Sequence, residues 1–230
     1  MSTQKGAPVI ALKGIGKTYK SGDEKTIALH DIDITINNGD FVAIMGPSGS
    51  GKSTMMHIIG LLDTPSHGAY MLDGQDVSKL KKTTQADLRN KKIGFVFQQF
   101  NLMPRTTVLE NLMLPTVYGD LANRYERAEM LLKEVDLADR ATHTGAQLSG
   151  GQIQRVAVAR ALMMSPSLIL ADEPTGNLDT KRSEEIMRLF RTINKQGATV
   201  VLITHEPEIA AFADRIITLK DGAIVADQKR

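Results

Sequence analysis

Cysteine and long apolar runs are both missing from the sequence. The chain has no cysteine, which excludes a disulfide framework, a thiolate metal site and a cysteine nucleophile. No segment approaches the roughly 18 consecutive apolar residues that a membrane-spanning helix needs. The N-terminal "MSTQKGAPV" lacks the apolar core of a signal peptide. We therefore expect a soluble chain that acts at a membrane only through a partner.

The chain also lacks a strong excess of charge of either sign. Its 28 lysines and arginines against 26 aspartates and glutamates leave a formal net charge of +2. This balance does not predict the broad cationic surface of a nucleic-acid-binding protein. The short basic run "KLKK" (79–82) is interpreted as a solvated face. With 230 residues, 42 % of them hydrophobic, the chain is long enough for one globular domain, with or without a large insertion.

Apolar runs of strand length recur along the chain. The predicted strands are 26–36, 41–46, 67–74, 92–99, 167–172 and 198–205. A hairpin is predicted over 215–227, with a tight turn at Asp221 and Gly222. A helix is predicted over 53–63, and another is expected to start at Ser183 as its N-cap and to end at Gly197.

Between about residues 100 and 165 the apolar residues recur at helical spacing, which predicts a helical insertion. The members of this pattern are Ala128, Leu131, Leu132, Val135, Ile153, Val156 and residues 158–162. On either side of the insertion, strands alternate with loops and helices. That alternation predicts an α/β core with antiparallel strands added at its edges.

A glycine-rich loop between a predicted strand and a predicted helix carries the strongest motif. "GPSGSGKS" (46–53) fits the pattern G-x-x-x-x-G-K-[ST] in its proper strand–loop–helix context. Its glycines let backbone N–H groups surround phosphates, Lys52 can reach the β- and γ-phosphates, and the Ser53 hydroxyl can ligate Mg²⁺. The predicted nucleotide-binding residues here are Gly46, Pro47, Ser48, Gly49, Ser50, Gly51, Lys52, Ser53 and Thr54. The loop predicts a nucleoside triphosphate site.

Two acidic residues stand at the end of the apolar run "LILAD": Asp172 is its last residue, and Glu173 follows directly. Asp172, at the end of this strand, is placed to hold a metal ion. Glu173 is a candidate general base or water-orienting group, because a carboxylate near a γ-phosphate can polarise the attacking water. An acidic pair after a strand often only starts a loop, but together with the glycine-rich loop it indicates a hydrolytic site.

These motifs and several further segments resemble the ATP-binding subunits of ABC transporters over nearly the whole chain. "LSGGQ" (148–152) is similar to the signature sequence of that family. "ADEPTGNLD" is similar to its Walker B end and D-loop, with Asp179 as the D-loop aspartate. Gln98 in "FVFQQF" resembles the Q-loop glutamine, and His205 in "LITHE" resembles the switch histidine. Tyr19 in "GKTY" lies where the family places an aromatic ring against adenine.

The resemblance implies a role for each of these residues. Glu173, His205 and Gln98 would be the catalytic residues. Ser53, Gln98 and Asp172 would hold Mg²⁺, the aspartate through water. The residues that would contact ATP bound to another subunit are Leu148, Ser149, Gly150, Gly151 and Gln152.

The resemblance also implies a domain organisation. It predicts a P-loop NTPase (RecA-like) core with an antiparallel β subdomain over 9–98 and 166–230. It further predicts an inserted α-helical subdomain over 99–165 and a flexible N-terminus over 1–8. Arg155 and Arg160 are expected to be structural or surface residues, and Met55 and Met56 to fill the core.

The implied ligands are ATP and Mg²⁺, and the implied partners are a second copy in a head-to-tail dimer and a membrane permease. Because the chain stops at Arg230, soon after the last hairpin, we expect the permease to be a separate chain, contacted through the helical subdomain. Periplasmic or outer-membrane components are further candidate partners, whereas nucleic acid is not. The expected location is cytoplasmic, peripheral on the inner face of the cytoplasmic membrane.

Within the family, "IGFVFQQFNLMPRTTVLENLMLP" (93–115) is most similar to the branch of MacB-type, Lol-type and FtsE-type complexes. ATP-driven dimerisation would power export, extraction of a lipoprotein or other substrate, or transmembrane mechanical signalling. One alternative is an FtsE-like cell-division ATPase that regulates envelope enzymes without transport. Another is an ABC ATPase that acts on nucleic acid. The segment between Lys52 and Ser149 is, however, too short for the long coiled coil of SMC-like proteins. A P-loop kinase would leave "LSGGQ" and His205 unexplained.

Overall fold

The computed structural model describes residues 8–230, which contain ten strands, seven α-helices and three short 3₁₀ helices. The strands are β1 (Pro8–Ser21), β2 (Glu24–Asn37), β3 (Phe41–Met45), β4 (His67–Leu72), β5 (Gln75–Asp76), β6 (Ile93–Phe97), β7 (Leu168–Asp172), β8 (Thr199–Ile203), β9 (Arg215–Lys220) and β10 (Ala223–Lys229). The helices are α1 (Lys52–Ile59), α2 (Lys82–Lys92), α3 (Val108–Met113), α4 (Arg124–Glu134), α5 (Gly150–Ala161), α6 (Thr180–Lys195) and α7 (Pro207–Ala210). The flexible N-terminus expected over 1–8 lies outside the described residues, except that β1 begins at Pro8.

A six-stranded sheet in the order β10-β9-β3-β8-β7-β6 forms the centre of the fold. Five of its strands are parallel and β10 pairs antiparallel with β9 at one edge. The inner strands are continuous apolar runs because both faces of the sheet are covered. Phe41 and Ala43 pack on one face with helices α3, α4, α5 and α6. Val42 and Ile44 pack on the other face with α1 and the second sheet.

The second sheet is antiparallel, in the order β2-β1-β4-β5. Its inner face buries Ile32, Ile34 and Ile36, the alternating residues of β2. The turn after β2 therefore leads into a different sheet, since β3 pairs only with β8 and β9 among the described strands. The predicted α/β class with additional antiparallel strands is confirmed.

Helices α3, α4 and α5 and three short 3₁₀ helices occupy the chain between β6 and β7; the 3₁₀ helices are Leu114–Val117, Ala138–Arg140 and Gly145–Gln147. Thr107 begins α3 with a capping box in which Glu110 returns a bond to the Thr107 backbone, so two orphan N–H groups at this helix start are satisfied. Helix α4 buries Ala128, Leu131 and Leu132, as its helical spacing predicts. No helix of residues 8–230 has both the length and the apolar character needed to cross a membrane.

Two predicted helix boundaries are wrong. Helix α1 ends at Ile59 instead of residue 63, because Gly60 caps it and Leu61 turns the chain away with a φ of 54°. Helix α6 is capped by Asp179, whose side chain accepts a hydrogen bond from the backbone N–H of Arg182, so it starts before the predicted cap Ser183. Gly197 follows the end of α6 with a φ of 107°, as a residue that stops a helix should.

Candidate active site

The carboxyl ends of four parallel strands meet at one edge of the central sheet. Phe97 at the end of β6 pairs with Asp172 of β7, Asp172 pairs with Ile203 of β8, and Ile203 pairs with Ile44 of β3. The glycine-rich loop, Gln98 and Glu173 each follow one of these ends directly, and His205 follows the end of β8 after one intervening residue. Ligands in open α/β folds bind at this edge, since the loops there converge on one crevice.

A cleft at this edge collects nine of the predicted site residues. Those that line it are Gly46, Pro47, Ser48, Lys52, Ser53, Gln98, Asp172, Glu173 and His205, with Met45, Ile203 and Thr218 in addition. Thr218 comes from β9 and was not predicted, because nothing in its local sequence sets it apart from the other residues of that hairpin. The hydroxyl of Ser53 and the carboxylate of Asp172 are oxygen donors of the kind Mg²⁺ prefers, so these residues fit such an ion.

Backbone geometry shapes the loop between β3 and α1 as a cradle. Gly49 and Gly51 have φ values of 78° and 98°, in the left-handed region that favours glycine. Lys52 folds back over the loop, and its Nζ donates to the carbonyl oxygens of Gly46 and Pro47 at 2.8 Å each. The loop therefore surrounds an ammonium group and presents the start of α1, which together favour an anion.

The turn of the last hairpin supports this loop from behind. The N–H of Gly222 donates to the carbonyl of Ser50 at 3.1 Å, and the N–H of His30 donates to the carbonyl of Gly222 at 2.8 Å. Asp221 and Gly222 have φ values of 47° and 77°, which fits the predicted tight turn. The loop is thus hydrogen-bonded to a segment far from it in sequence.

Glu173 is held in place by three donors and by an unusual backbone conformation. Its φ is 43°, which is rare for a residue with a side chain and marks strain stored at the site. Its Oε1 accepts from the N–H of His205 at 3.1 Å, its Oε2 accepts from the Thr204 hydroxyl at 3.1 Å, and Nδ1 of His205 lies 2.7 Å from Oε1. Thr204 was not predicted, although a threonine buried between an apolar strand and a candidate histidine is itself a signal.

Asp172 lies next to Glu173 and, like it, is partly buried. Burial raises the pKa of Asp172, and the charge of Glu173 raises it further, while His57 and Lys52 act in the opposite direction. A cation near Asp172 would relieve both unfavourable effects, since an opposite charge stabilises the ionised carboxylate.

We expect the pKa of His205 to lie above its ordinary value of 6.5, because the carboxylate of Glu173 stabilises the protonated ring. The pair therefore stabilises the fold below the unfolded-state pKa, and this contribution disappears as the pH rises through the higher folded-state value. An NMR titration of the His205 ring measures the pKa. Glu173→Gln should bring it down, and a pKa left unchanged by that substitution would contradict the pairing.

Gln98 lies at the start of a loop that is fastened from two sides. Its backbone carbonyl accepts a hydrogen bond from Nδ2 of Asn177 at 2.9 Å. Further along the loop, the Arg160 guanidinium donates to the carbonyls of Phe100 and Asn101 at 3.0 and 2.6 Å. Arg160 is therefore structural, as expected, and connects the end of α5 to the Gln98 loop.

The turn at 148–152 presents a second helix start, separate from the Lys52 loop. Ser149 caps α5 through a capping box with Gln152, whose Oε1 accepts from the Ser149 N–H at 2.9 Å. Gly150 and Gly151 then begin a helix of 12 residues, so their N–H groups point out of its positive end. None of residues 148–152 is among the residues that line the cleft at Lys52.

Six other predicted residues also lie outside the cleft lining: Gly49, Ser50, Gly51 and Thr54 around the start of α1, and Asp179 and Tyr19 elsewhere. Asp179 caps α6 and pairs with Arg182 at 3.1 Å, while Tyr19 lies near the end of β1 with 41 % of its surface exposed. Arg155, expected to be structural or on the surface, pairs with Glu185 at 2.9 Å. Met55 and Met56 are buried in the core, as predicted.

Comparison with known proteins agrees with this arrangement. The family profile described as "ABC transporter" matches residues 29–176, which is more than half of the chain. The chain belongs to this family. It is an ABC-type ATPase cassette, and the expected P-loop fold is confirmed by its likeness to solved cassettes.

Two curated relatives and one solved structure illustrate the likeness. The YknY ABC transporter ATP-binding protein of Bacillus subtilis, uncharacterized, is 53 % identical over 219 residues, 94 % of this chain and 95 % of its own. The macrolide export ATP-binding/permease protein MacB of Bdellovibrio bacteriovorus is 51 % identical over 96 % of this chain, which spans only 34 % of MacB. A dimeric post-hydrolysis structure of the ATP-binding cassette MJ0796, bound to ADP and Pi, is 48 % identical with a TM-score of 0.86, covering 96 % of this chain and 98 % of that one.

Proposed function

We propose that the chain is the ATP-hydrolysing subunit of an ABC-type membrane complex. Two copies associate head to tail, and each ATP lies between the Lys52 loop of one copy and the Ser149 turn of the other. ATP closes the dimer, and hydrolysis removes the γ-phosphate contacts that hold it closed. The dimer acts on a transmembrane permease from the cytoplasmic face of the membrane.

The observation that carries this proposal is the separation of two anion-binding elements in one chain. The Lys52 loop opens into the cleft at the strand ends, whereas the Ser149 turn starts α5 and contributes nothing to the lining of that cleft. One loop supplies too few donors for the charge of a triphosphate, and a second helix start completes them. A head-to-tail pair brings the two elements to the same ligand, and the MJ0796 cassette was solved as a dimer with ADP and Pi.

The residues of the cleft divide the chemistry of hydrolysis among them. Lys52 and the loop N–H groups bind the phosphates, and Glu173 orients the attacking water and accepts its proton. His205, already bonded to Glu173, holds that carboxylate and donates toward the γ-phosphate. Ser53 and Gln98, with Asp172 acting through water, would hold Mg²⁺, which would supply positive charge to the phosphate oxygens.

A groove beside the helical segment is the proposed seat of the permease. Apolar side chains dominate its lining, which includes Phe95, Phe97, Leu114, Pro115, Tyr118 and Met164. Phe95 and Phe97 stack with their ring centroids 5.4 Å apart, and Tyr118 is 85 % exposed. Exposed aromatic and aliphatic surface in a concave site favours a partner helix. Since Phe97 directly precedes Gln98, a partner here touches the strand that leads into the cleft.

Export is the class of work that the relatives favour. MacB, whose ATP-binding part resembles this chain, is named a macrolide export ATP-binding/permease protein. Extraction of lipoproteins or other substrates and transmembrane mechanical signalling are the other outputs of this branch that we propose. An FtsE-like role in cell division is the second candidate, supported by the similarity of residues 93–115.

Mixing two inactive variants tests the shared site. Lys52→Ala removes the phosphate-binding ammonium, and Ser149→Arg places a bulky side chain at the turn, so each variant alone should lose about 10²-fold or more in ATP hydrolysis. A mixed dimer keeps one site with an intact Lys52 loop and an intact Ser149 turn. An equal mixture should therefore recover about a quarter of the wild-type rate, since half of randomly paired dimers are mixed.

The control is a mixture of Lys52→Ala with the double variant Lys52→Ala and Ser149→Arg, in which no pairing restores a site. Recovery only in the first mixture supports the head-to-tail dimer. If neither mixture exceeds the rate of its components, the two elements do not share one ATP and the proposal is wrong.

A further inference from the structure

Asp63 joins two residues of β1 to the end of the helix that follows the Lys52 loop. Its Oδ2 accepts a hydrogen bond from the Tyr19 hydroxyl at 3.0 Å, and its Oδ1 accepts from Nζ of Lys17 at 2.7 Å. The Lys17 ammonium donates also to the carbonyl of Thr64 at 2.8 Å. These contacts connect positions 44 and 46 residues apart in sequence.

The Tyr19 ring is held on one face and at its hydroxyl. The Lys17 ammonium lies 4.9 Å from the ring centroid, within the range of a cation–π contact. The Lys17 side chain is only 11 % exposed, whereas Tyr19 keeps 41 % of its surface exposed. The arrangement therefore fixes the ring and leaves aromatic surface available for stacking.

Backbone hydrogen bonds connect Asp63 and the residues that follow it to both α1 and β1. Its N–H donates to the carbonyl of His57, in the last turn of α1, at 3.0 Å. A few residues later, the N–H of Ser66 donates to the carbonyl of Gly16 at 2.8 Å, and the N–H of Thr18 donates to Oγ of Ser66 at 3.0 Å. Residues 63–66 thus form a strap between α1 and β1.

The carboxylate of Asp63 is stable in its ionised form. Partial burial alone would raise its pKa, but the hydrogen bonds from Lys17, Thr64 and Tyr19 outweigh that effect and leave the pKa below its usual range. At neutral pH the group therefore acts as a charged acceptor, and hydrogen bonds to charged acceptors are the stronger kind.

We propose that Asp63 is a positioning residue for the nucleotide base. It holds the Tyr19 ring in one orientation and joins that ring to the helix that begins at the phosphate-binding loop. This inference rests on the proposed function and on the expectation from the sequence that Tyr19 is the platform on which the base stacks. The base and the phosphates of one nucleotide are then held by a single rigid unit.

The affinities for MgADP and for magnesium pyrophosphate, both measured by calorimetry, test this role, since pyrophosphate has no base. Tyr19→Ala should weaken ADP binding about 5- to 150-fold by removing a stacking surface. Asp63→Ala and Tyr19→Phe, which release the ring, should each weaken it about twofold to tenfold. Pyrophosphate binding should stay unchanged in all three variants, and Asp139→Ala, at an exposed aspartate elsewhere, should leave both ligands unaffected.

The double variant separates positioning from general support of the fold. If Asp63 acts through Tyr19, then adding Asp63→Ala to Tyr19→Ala causes no further loss of ADP affinity. The inference is overturned if Asp63→Ala keeps its full effect in the Tyr19→Ala background, or if it weakens pyrophosphate as much as ADP. If the wild-type protein binds neither MgADP nor magnesium pyrophosphate at the Lys52 loop, the proposed function itself is overturned.

Discussion

Glu173→Gln should lower the rate of ATP hydrolysis by about 10²- to 10⁴-fold, the usual contribution of a general base, while ATP binding persists. The substitution removes the proton acceptor but keeps the shape of the side chain. The amide oxygen can still accept from the N–H of His205, and the amide NH₂ can donate to the Thr204 hydroxyl, which both donates and accepts. The site therefore stays assembled without its base.

Because the variant binds ATP and does not consume it, the closed dimer should accumulate. Size-exclusion chromatography with and without MgATP measures this shift, and a phosphate-release assay measures the rate. Glu208→Gln, at an exposed glutamate on α7, is the matched control and should hydrolyse ATP like the wild type. A Glu173→Gln variant that hydrolyses ATP at near wild-type rate would remove Glu173 from its proposed role.

Gly46→Ala should abolish nucleotide binding and lower thermal stability. A Cβ at this position would lie 2.2 Å from the backbone oxygen of Leu219 and 2.5 Å from Oγ of Ser50. The Leu219 oxygen belongs to the sheet and cannot move aside, so the loop must move instead. Overpacking and backbone strain of this kind each cost about 1–3 kcal/mol.

Gly49→Ala is the matched comparison within the same loop. A Cβ there meets nothing within 4 Å, although its φ of 78° favours glycine. We expect a loss of only about 1–2 kcal/mol from the backbone conformation and measurable ATP binding. Thermal unfolding and calorimetry of the two variants compare these effects, and equal damage from both substitutions would contradict the assigned geometry.

The grouping of the cleft residues follows from the sequence for a physical reason. Lys52, Asp172 and His205 each lie shortly after a short apolar run, and parallel strands carry the residues that follow them to one edge of the sheet. Two-residue periodicity likewise predicts β2. The roles of these residues in hydrolysis stay predictions.

The errors of the sequence interpretation have local causes. The α6 cap was predicted at Ser183 because apolar spacing starts there, yet Asp179 four residues earlier caps the first turn, which is polar throughout. Helix α2 was not predicted. It starts in the basic run at 79–82 and buries only Gln85 among its described residues, so it has no apolar spacing to reveal it. Strand β1 was not predicted, because register shifts along its pairing with β2 interrupt the alternation.

Contacts between distant segments were beyond the reach of sequence patterns. Thr204 and Asp63 matter through the groups they touch, and neither belongs to a motif with a fixed spacing. The Tyr19–Asp63 hydrogen bond spans 44 residues, and only the packing of α1 against β1, with the strap of residues 63–66 between them, brings the two side chains together.

The hydrogen bond from Gly222 to Ser50 can form only late in synthesis, long after the Lys52 loop itself has been made. The ribosome delivers the Lys52 loop early, but the turn that supports it comes from the last hairpin, β9 and β10. A nascent chain that ends before residue 215 lacks both this support and β9, one of the two strands that pair with β3. Since chains emerge from the N-terminus onward, the loop reaches its supported conformation only when translation is almost finished.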